Sequence, residues 1–256
     1  MHRYFAQIAY KGSAYHGWQE QPNALTVQEL VNKALSTVTR QKVDTTGCGR
    51  TDTGVHASQF FLHFDLDSPI DDVEKALFQL NALLPHDIRT YLLIEVEATS
   101  HARFDAIKRS YSYYIFRKPS AFLQEFGWYF NRPLELEKMN TAAHLCLNHV
   151  DYACFGKSGG QQFTNNCTIT ECKWIEEGEI LRFTVSANRF LRGMVRAMVG
   201  TFIDVGLNKI SIEDFKTILE NGDRGQAGQS VPPQGLFLEE IVYPYINSKR
   251  VYYLNL

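Results

Sequence analysis

Two rhythms of apolar residues alternate along this chain, and their order leaves few folds open. Residues 4–10, YFAQIAY, alternate as a half-buried strand does, with Tyr4, Ala6, Ile8 and Tyr10 on one face. From Thr26 the spacing turns helical: Val27, Leu30, Val31, Ala34, Leu35 and Val38 form one stripe, behind a Thr26/Glu29 capping-box pattern. Strand-like runs follow around Val43–Thr46 and Phe60–Leu66. Ser68-Pro69 then opens a second helix to about Leu84, with proline at the tolerated first position, and IRTYLLIEVEA (88–98) is a strand. The first hundred residues thus read β-α-β-β-α-β, an order found in sheets covered by helices on one face.

The remainder has a similar outline. RSYSYYIFRK (109–118) is a strand, 134–150 contains a helix, and TITECKWIEEGEILRFTVSA is two strands across a Glu177-Gly178 turn. Residues 189–206, RFLRGMVRAMVGTFIDVG, read as one helix ending near Gly206, 211–222 as another, and GLFLEEIVYP (235–244) as a strand. GDRGQAGQSVPP (222–233) looks like a linker and GKSGGQQ (156–162) like a flexible loop. No strict repeat occurs, yet two α+β halves of matching order, 1–100 and 101–256, point to an α+β chain with a pseudo-duplicated sheet.

Several function classes are disfavoured. No apolar run approaches the roughly 18 residues of a membrane span, and MHRYFAQIAYKG is unlike a signal or transit peptide. A soluble cytoplasmic protein without a membrane partner is expected. Five cysteines without a CxxC pair support neither a disulfide framework nor a zinc site, and the eight histidines form no HxH or HExxH pattern. No metal is expected. With a net charge of −2, nucleic-acid binding requires the basic residues to be gathered in one place.

The stretch GCGRTDTGVHA (47–57) concentrates unusual chemistry. A glycine-rich turn with an aspartate cap is the plainer alternative. It lacks the GK[ST] ending of a phosphate loop and the glycine spacing of a dinucleotide motif. In an extended segment Arg50 and Asp52 point the same way, which favours an ionised carboxylate and a nucleophile. The second carboxylate of a usual glycosidase is missing from the loop.

GRTDTGVHA resembles the GRTDAGVHA signature of the tRNA pseudouridine synthase A family. YKGSAYHGWQEQPNALTVQ (10–28), LPHDIR (84–89), HARFDAIKRSYSYYI (101–115), RFLRGMVRAMVGTFIDVG and GLFLEEIVYP are similar to its other blocks, in order. The resemblance implies the pseudouridine synthase fold, two similar α+β halves forming an extended, mixed, mostly antiparallel sheet with helices packed on it and a central active-site cleft. It implies isomerisation of uridine to pseudouridine in the tRNA anticodon stem-loop, at tRNA positions 38–40, by a homodimer without a cofactor. Carried over, the nucleophile falls on Asp52, the active-site tyrosine on Tyr111, the arginine paired with the nucleophile on Arg196, a uracil-pocket leucine on Leu236, and a residue handling the flipped-out nucleotide on Arg50. Thr53 and Ser230 stand where the family commonly has alanine.

The residues themselves add two observations. If the helix from Phe190 includes them, Arg189, Arg192 and Arg196 fall within a roughly 60° arc. A solvated arginine stripe is the alternative, but Arg196 sits between Val195 and Ala197, where a charge needs a partner. In RSYSYYI, Arg109, Tyr111, Tyr113 and Ile115 share a face, which suits phosphate contact and base stacking, or simply an aromatic-covered sheet. Arg103, Lys108, Arg109 and Arg189 are the candidates for a local basic surface. His56 is expected to brace its loop, and Trp18 to anchor the HGWQ turn. An RNA-binding module without activity and a uracil-releasing glycosidase remain as alternatives.

Overall fold

A computed structural model of the chain describes residues 1–157 and 163–246. Most of the loop expected at 156–162 and the C-terminal VYYLNL run lie outside the described residues. The order is β1 (His2–Tyr10), α1 (Val27–Thr39), β2 (Thr46–Gly47), β3 (His56–Leu66), α2 (Val73–Leu83), β4 (Ile88–Val96), β5 (Lys108–Phe116), β6 (Trp128–Tyr129), α3 (Leu136–Leu145), β7 (Ile169–Glu177), β8 (Ile180–Ala187), α4 (Met194–Gly206), α5 (Ile212–Asn221) and β9 (Leu236–Val242). Among the described residues this makes an α+β chain whose strands are mostly antiparallel, β5 and β6 being a parallel pair. No helix among them is long and apolar enough to cross a membrane. The chain divides into two compact units, Met1–Ile107 with the segment from Leu238, and Lys108–Phe237.

In the first unit the strand order is β4-β1-β3-β9, with β2 alongside β3. Tyr4 pairs with Phe64 and Ile8 with Phe60 across β1 and β3. β1 is not the half-buried strand its alternation suggests: every residue from Tyr4 to Tyr10 is buried. The second face is covered because the Phe5 ring meets the rings of Tyr243 and Tyr245, from the segment after β9, at 5.4 and 6.2 Å. Thr26 caps α1, accepting from Glu29 N–H, and α1 buries Val27, Val31, Ala34 and Leu35. The helix expected from Pro69 starts later. Asp72 accepts from Lys75 N–H at 2.9 Å and so caps α2, while Ile70 N–H donates to the Tyr4 hydroxyl. A side chain able to satisfy the first-turn amides outcompetes a proline that merely tolerates them.

In the second unit β8 lies between β5 and β7, and Gly178 (φ 61°) makes the β7–β8 turn. Rings join the layers: Trp174 of β7 to Phe183 of β8 at 5.1 Å, Phe183 to Phe202 of α4 at 5.3 Å, and Phe202 to Phe215 of α5 at 5.4 Å. Ser211 and Asp214 form a reciprocal capping box at α5.

Two expectations fail here. The helix drawn over 189–206 begins only at Met194, because Gly193 takes φ 71°, in the left-handed region. Arg189 and Arg192 therefore precede α4 and share no helical arc with Arg196. Nor is 222–233 a linker. Gly228 N–H donates to Thr201 Oγ1 at 2.9 Å, Val231 N–H to Arg196 O at 3.2 Å, and the Gln229 carbonyl lies so close to Gly200 that a Cβ there would stand 1.8 Å from it. The segment is a strap laid on α4.

Candidate active site

The loop carrying Asp52 leaves β2 after Gly47 and enters β3 at His56, and the segment after β1 shapes it. Trp18 N–H donates to Thr51 O and Gly54 N–H to Tyr15 O, both at 3.3 Å, while Gly12 N–H donates to His56 Nδ1 at 3.0 Å. The Tyr10 hydroxyl lies 2.8 Å from Thr51 Oγ1. Trp18, 1 % exposed, packs on Phe60 with ring centres 4.3 Å apart. Tyr15 donates to Asp87, and burial together with that carboxylate raises its phenol well above the ordinary range. Asp52 heads a four-residue turn closed by Val55 N–H on its carbonyl at 3.1 Å, and Gly54 supplies the positive φ (77°). The segment Gly12–Trp18 that follows β1 is thus a template for Thr51–His56.

Within that loop Asp52 is half-buried, and Arg50 and Thr53 are exposed. His56 is buried with Nδ1 as an acceptor, so its neutral ring carries the proton on Nε2. It braces the loop. Arg103 lies elsewhere: its neighbour Ala102 donates to His63 Nδ1 at 3.1 Å. The seven residues from His56 to His63 span about 23 Å of strand, so Arg103 stands at the opposite end of β3 from the Asp52 loop.

In the second unit one face of β5 organises the remaining candidates. Arg109 donates to the Asn188 carbonyl at 2.7 Å, immediately before Arg189. Tyr111, half-buried, meets Phe190 edge-on at 5.1 Å. Tyr113, fully buried, donates to Pro232 O at 2.8 Å, and burial holds its phenol far above the ordinary range despite Arg196, which pulls the other way. Arg109, Tyr111 and Tyr113 therefore meet, in order, the segment leading into α4 and the strap leading into β9.

Arg196 occupies the first turn of α4, which contains no acid. Every residue of that helix is buried except Arg196 and Asp204, which are half-buried. A guanidinium added to the positive end of a helix dipole makes a strongly electropositive point, unfavourable unless an anion is received there. Its Nε donates to Val231 O at 2.7 Å, and its own carbonyl accepts from Val231 N–H, so the strap fixes the side chain's orientation. Leu236, 6 % exposed, begins β9 directly after the Pro233–Gly235 turn, its N–H donating to Pro233 O.

Sequence reasoning missed the parts of Phe190, Val231 and Pro232. Phe190 passed as a helix residue and the other two as linker, since nothing local marks a backbone carbonyl as an anchor. Among the described residues no three His, Cys, Asp or Glu side chains are grouped to hold a metal ion.

A family model described as tRNA pseudouridine synthase matches residues 6–105 and 142–244. The chain belongs to the tRNA pseudouridine synthase family. A curated relative from Porphyromonas gingivalis, tRNA pseudouridine synthase A, is 46 % identical over 250 residues, covering 95 % of this chain and 98 % of its own. Relatives of that name from Bacteroides fragilis and Thermoanaerobacter sp. are 44 % and 38 % identical, covering 94 % and 92 % of this chain and 96 % and 97 % of theirs. The synthase family match includes Arg50, Asp52, Arg103, Arg189, Arg196 and Leu236, whereas Arg109 and Tyr111 fall between its two matched stretches.

Proposed function

We propose that the chain converts uridine to pseudouridine in the anticodon stem-loop of tRNA, with Asp52 as the nucleophile. One observation carries the assignment of Asp52. The only carboxylate of the signature loop heads a tight turn whose backbone is held by Tyr15 and Trp18, an unusually fixed setting for a half-buried acid.

A uridine stacked in a stem exposes its glycosidic bond only after extrusion. Arg50, exposed within the loop, holds the displaced nucleotide's phosphate or fills the vacated place. Tyr111 stacks on the uracil, and Leu236 supplies an apolar wall. Arg196 keeps the carboxylate charged and aimed, and Arg103, Arg109 and Arg189 take phosphates. The central cleft expected from the resemblance is part of the same proposal, as is a homodimer with one tRNA contacting both subunits, which light scattering tests.

The reaction is an isomerisation. The N1–C1′ bond breaks, the ring turns, a C5–C1′ bond forms, C5 loses a proton and N1 gains one. Atoms and electrons balance without an outside reactant. Asp52 enters by attack on C1′, by removal of the C2′ proton, or by addition to C6, and Tyr111 is the candidate to take the C5 proton.

Chromatography of nuclease-digested tRNA tests this. Wild type should yield pseudouridine, and Asp52→Asn should yield none while still binding tRNA. Free uracil would identify a glycosidase, binding without product a non-catalytic RNA module, and product from Asp52→Asn would remove the nucleophile assignment.

A further inference from the structure

A column of rings runs from the core of the first unit to its surface. Phe5, fully buried, stacks with His63 at 6.0 Å and 24°. His63 meets His101 edge-on at 4.6 Å, and His101 lies 4.2 Å from Phe104. Phe104 is 73 % exposed, and the Arg103 guanidinium carbon is 5.7 Å from its ring centre.

This exposed ring is not on a loose loop. Ala102 N–H donates to His63 Nδ1, and Arg103 and Phe104 N–H both donate to His101 Nδ1, at 3.1 and 3.3 Å. His101 N–H and the Tyr245 hydroxyl donate to Asp105, and Tyr243 to the Ala102 carbonyl. Both imidazoles act as acceptors, and burial lowers both pKa values, that of His63 to about 4. Asp105 is engaged within the turn and Asp65 is gripped by Arg3 through two oxygens, while Arg103 is exposed with its guanidinium beside the Phe104 ring. A rigid aromatic face with a cation beside it matches what a nucleobase and its phosphate require.

We propose that Phe104, with Arg103 beside it, is a stacking platform for a nucleobase of the substrate RNA. This rests on the tRNA function proposed above. With about 23 Å of strand between His63 and the Asp52 loop, the stacked base is one remote from the reacting uridine.

The test is the dissociation constant for unmodified tRNA of wild type, Phe104→Leu and Phe104→Trp at several salt concentrations. Phe104→Leu keeps an apolar side chain and should bind about tenfold more weakly, with Phe104→Trp restoring affinity. Arg103→Ala should lower the salt slope by about one. Wild-type affinity in Phe104→Leu, or equal weakening in Leu and Trp variants, overturns the proposal. So does a change of mass by light scattering without a change in RNA affinity, which would make this face a contact between copies. The two readings fail separately. A wild type that binds tRNA through Phe104 but forms no pseudouridine sinks only the catalytic reading. One that forms pseudouridine while Phe104→Leu binds normally sinks only this one.

Discussion

The Tyr10 hydroxyl stands 2.8 Å from Thr51 Oγ1, one residue ahead of Asp52, and both side chains are buried. Strand β1 thereby touches the side chain that immediately precedes the proposed nucleophile. A buried hydrogen bond is worth about 1 kcal/mol, or about fivefold in rate when it serves placement. Tyr10→Phe should therefore slow pseudouridine formation a few-fold in single-turnover assays while tRNA affinity stays unchanged.

Gly17 and Gly49 should respond oppositely to alanine. Gly17 has φ 88° and a Cβ there would lie 2.3 Å from Thr51 O, whereas nothing lies within 4 Å of a Cβ at Gly49. Strain and collision together should cost Gly17→Ala on the order of 2–4 kcal/mol, read from denaturant midpoints. Gly49→Ala should fall within about 0.5 kcal/mol of wild type.

Arg196→Lys removes the Nε donor that ties the side chain to Val231 O. Lysine keeps the charge and loses the planar fork. A hydrogen bond involving a charged group contributes about 1.5–3 kcal/mol, so turnover should drop by roughly ten- to a hundredfold with melting temperature little changed. A near-normal rate would remove the orienting role.

Acid should weaken the first unit through His63. Burial is the main cause lowering its pKa from 6.5 to about 4, with Arg3 and His101 adding and Asp65 and Asp105 opposing. The folded value lies below the unfolded one, so the contribution is complete above pH 6.5 and is lost as pH falls toward 4. Its size is on the order of 3 kcal/mol. Denaturation at about pH 7 and about pH 4.5 should show a smaller acid penalty in His63→Gln than in wild type.

Legibility from sequence followed how local each determinant is. Thr26/Glu29 announces its helix because both partners lie within one turn. The ring- and turn-forming residues around Asp52 are marked by glycines, and the block order reveals the family. The start of α4 was hidden because RFL continues the apolar pattern, and only the left-handed Gly193 breaks it. The strap over α4 was hidden for a different reason. Its anchors are a carbonyl against Gly200 and the backbone of Val231 held by Arg196, and main-chain atoms are identical in every sequence. Likewise β1 reads as half-buried because the Tyr243 and Tyr245 rings that cover it come from more than 200 positions away.

The first unit is discontinuous: it lacks β9, the neighbour of β3, until residues from Leu238 exist. At roughly 5–20 residues per second, a ribosome needs on the order of ten seconds to get from Ile107 to that strand. Throughout that interval the nascent β3 has β1 along one edge and only the two-residue β2 on the other, and Lys108–Phe237 is complete just as β9 emerges. Synthesis thus imposes a schedule in which the half bearing Asp52 is begun first and finished last.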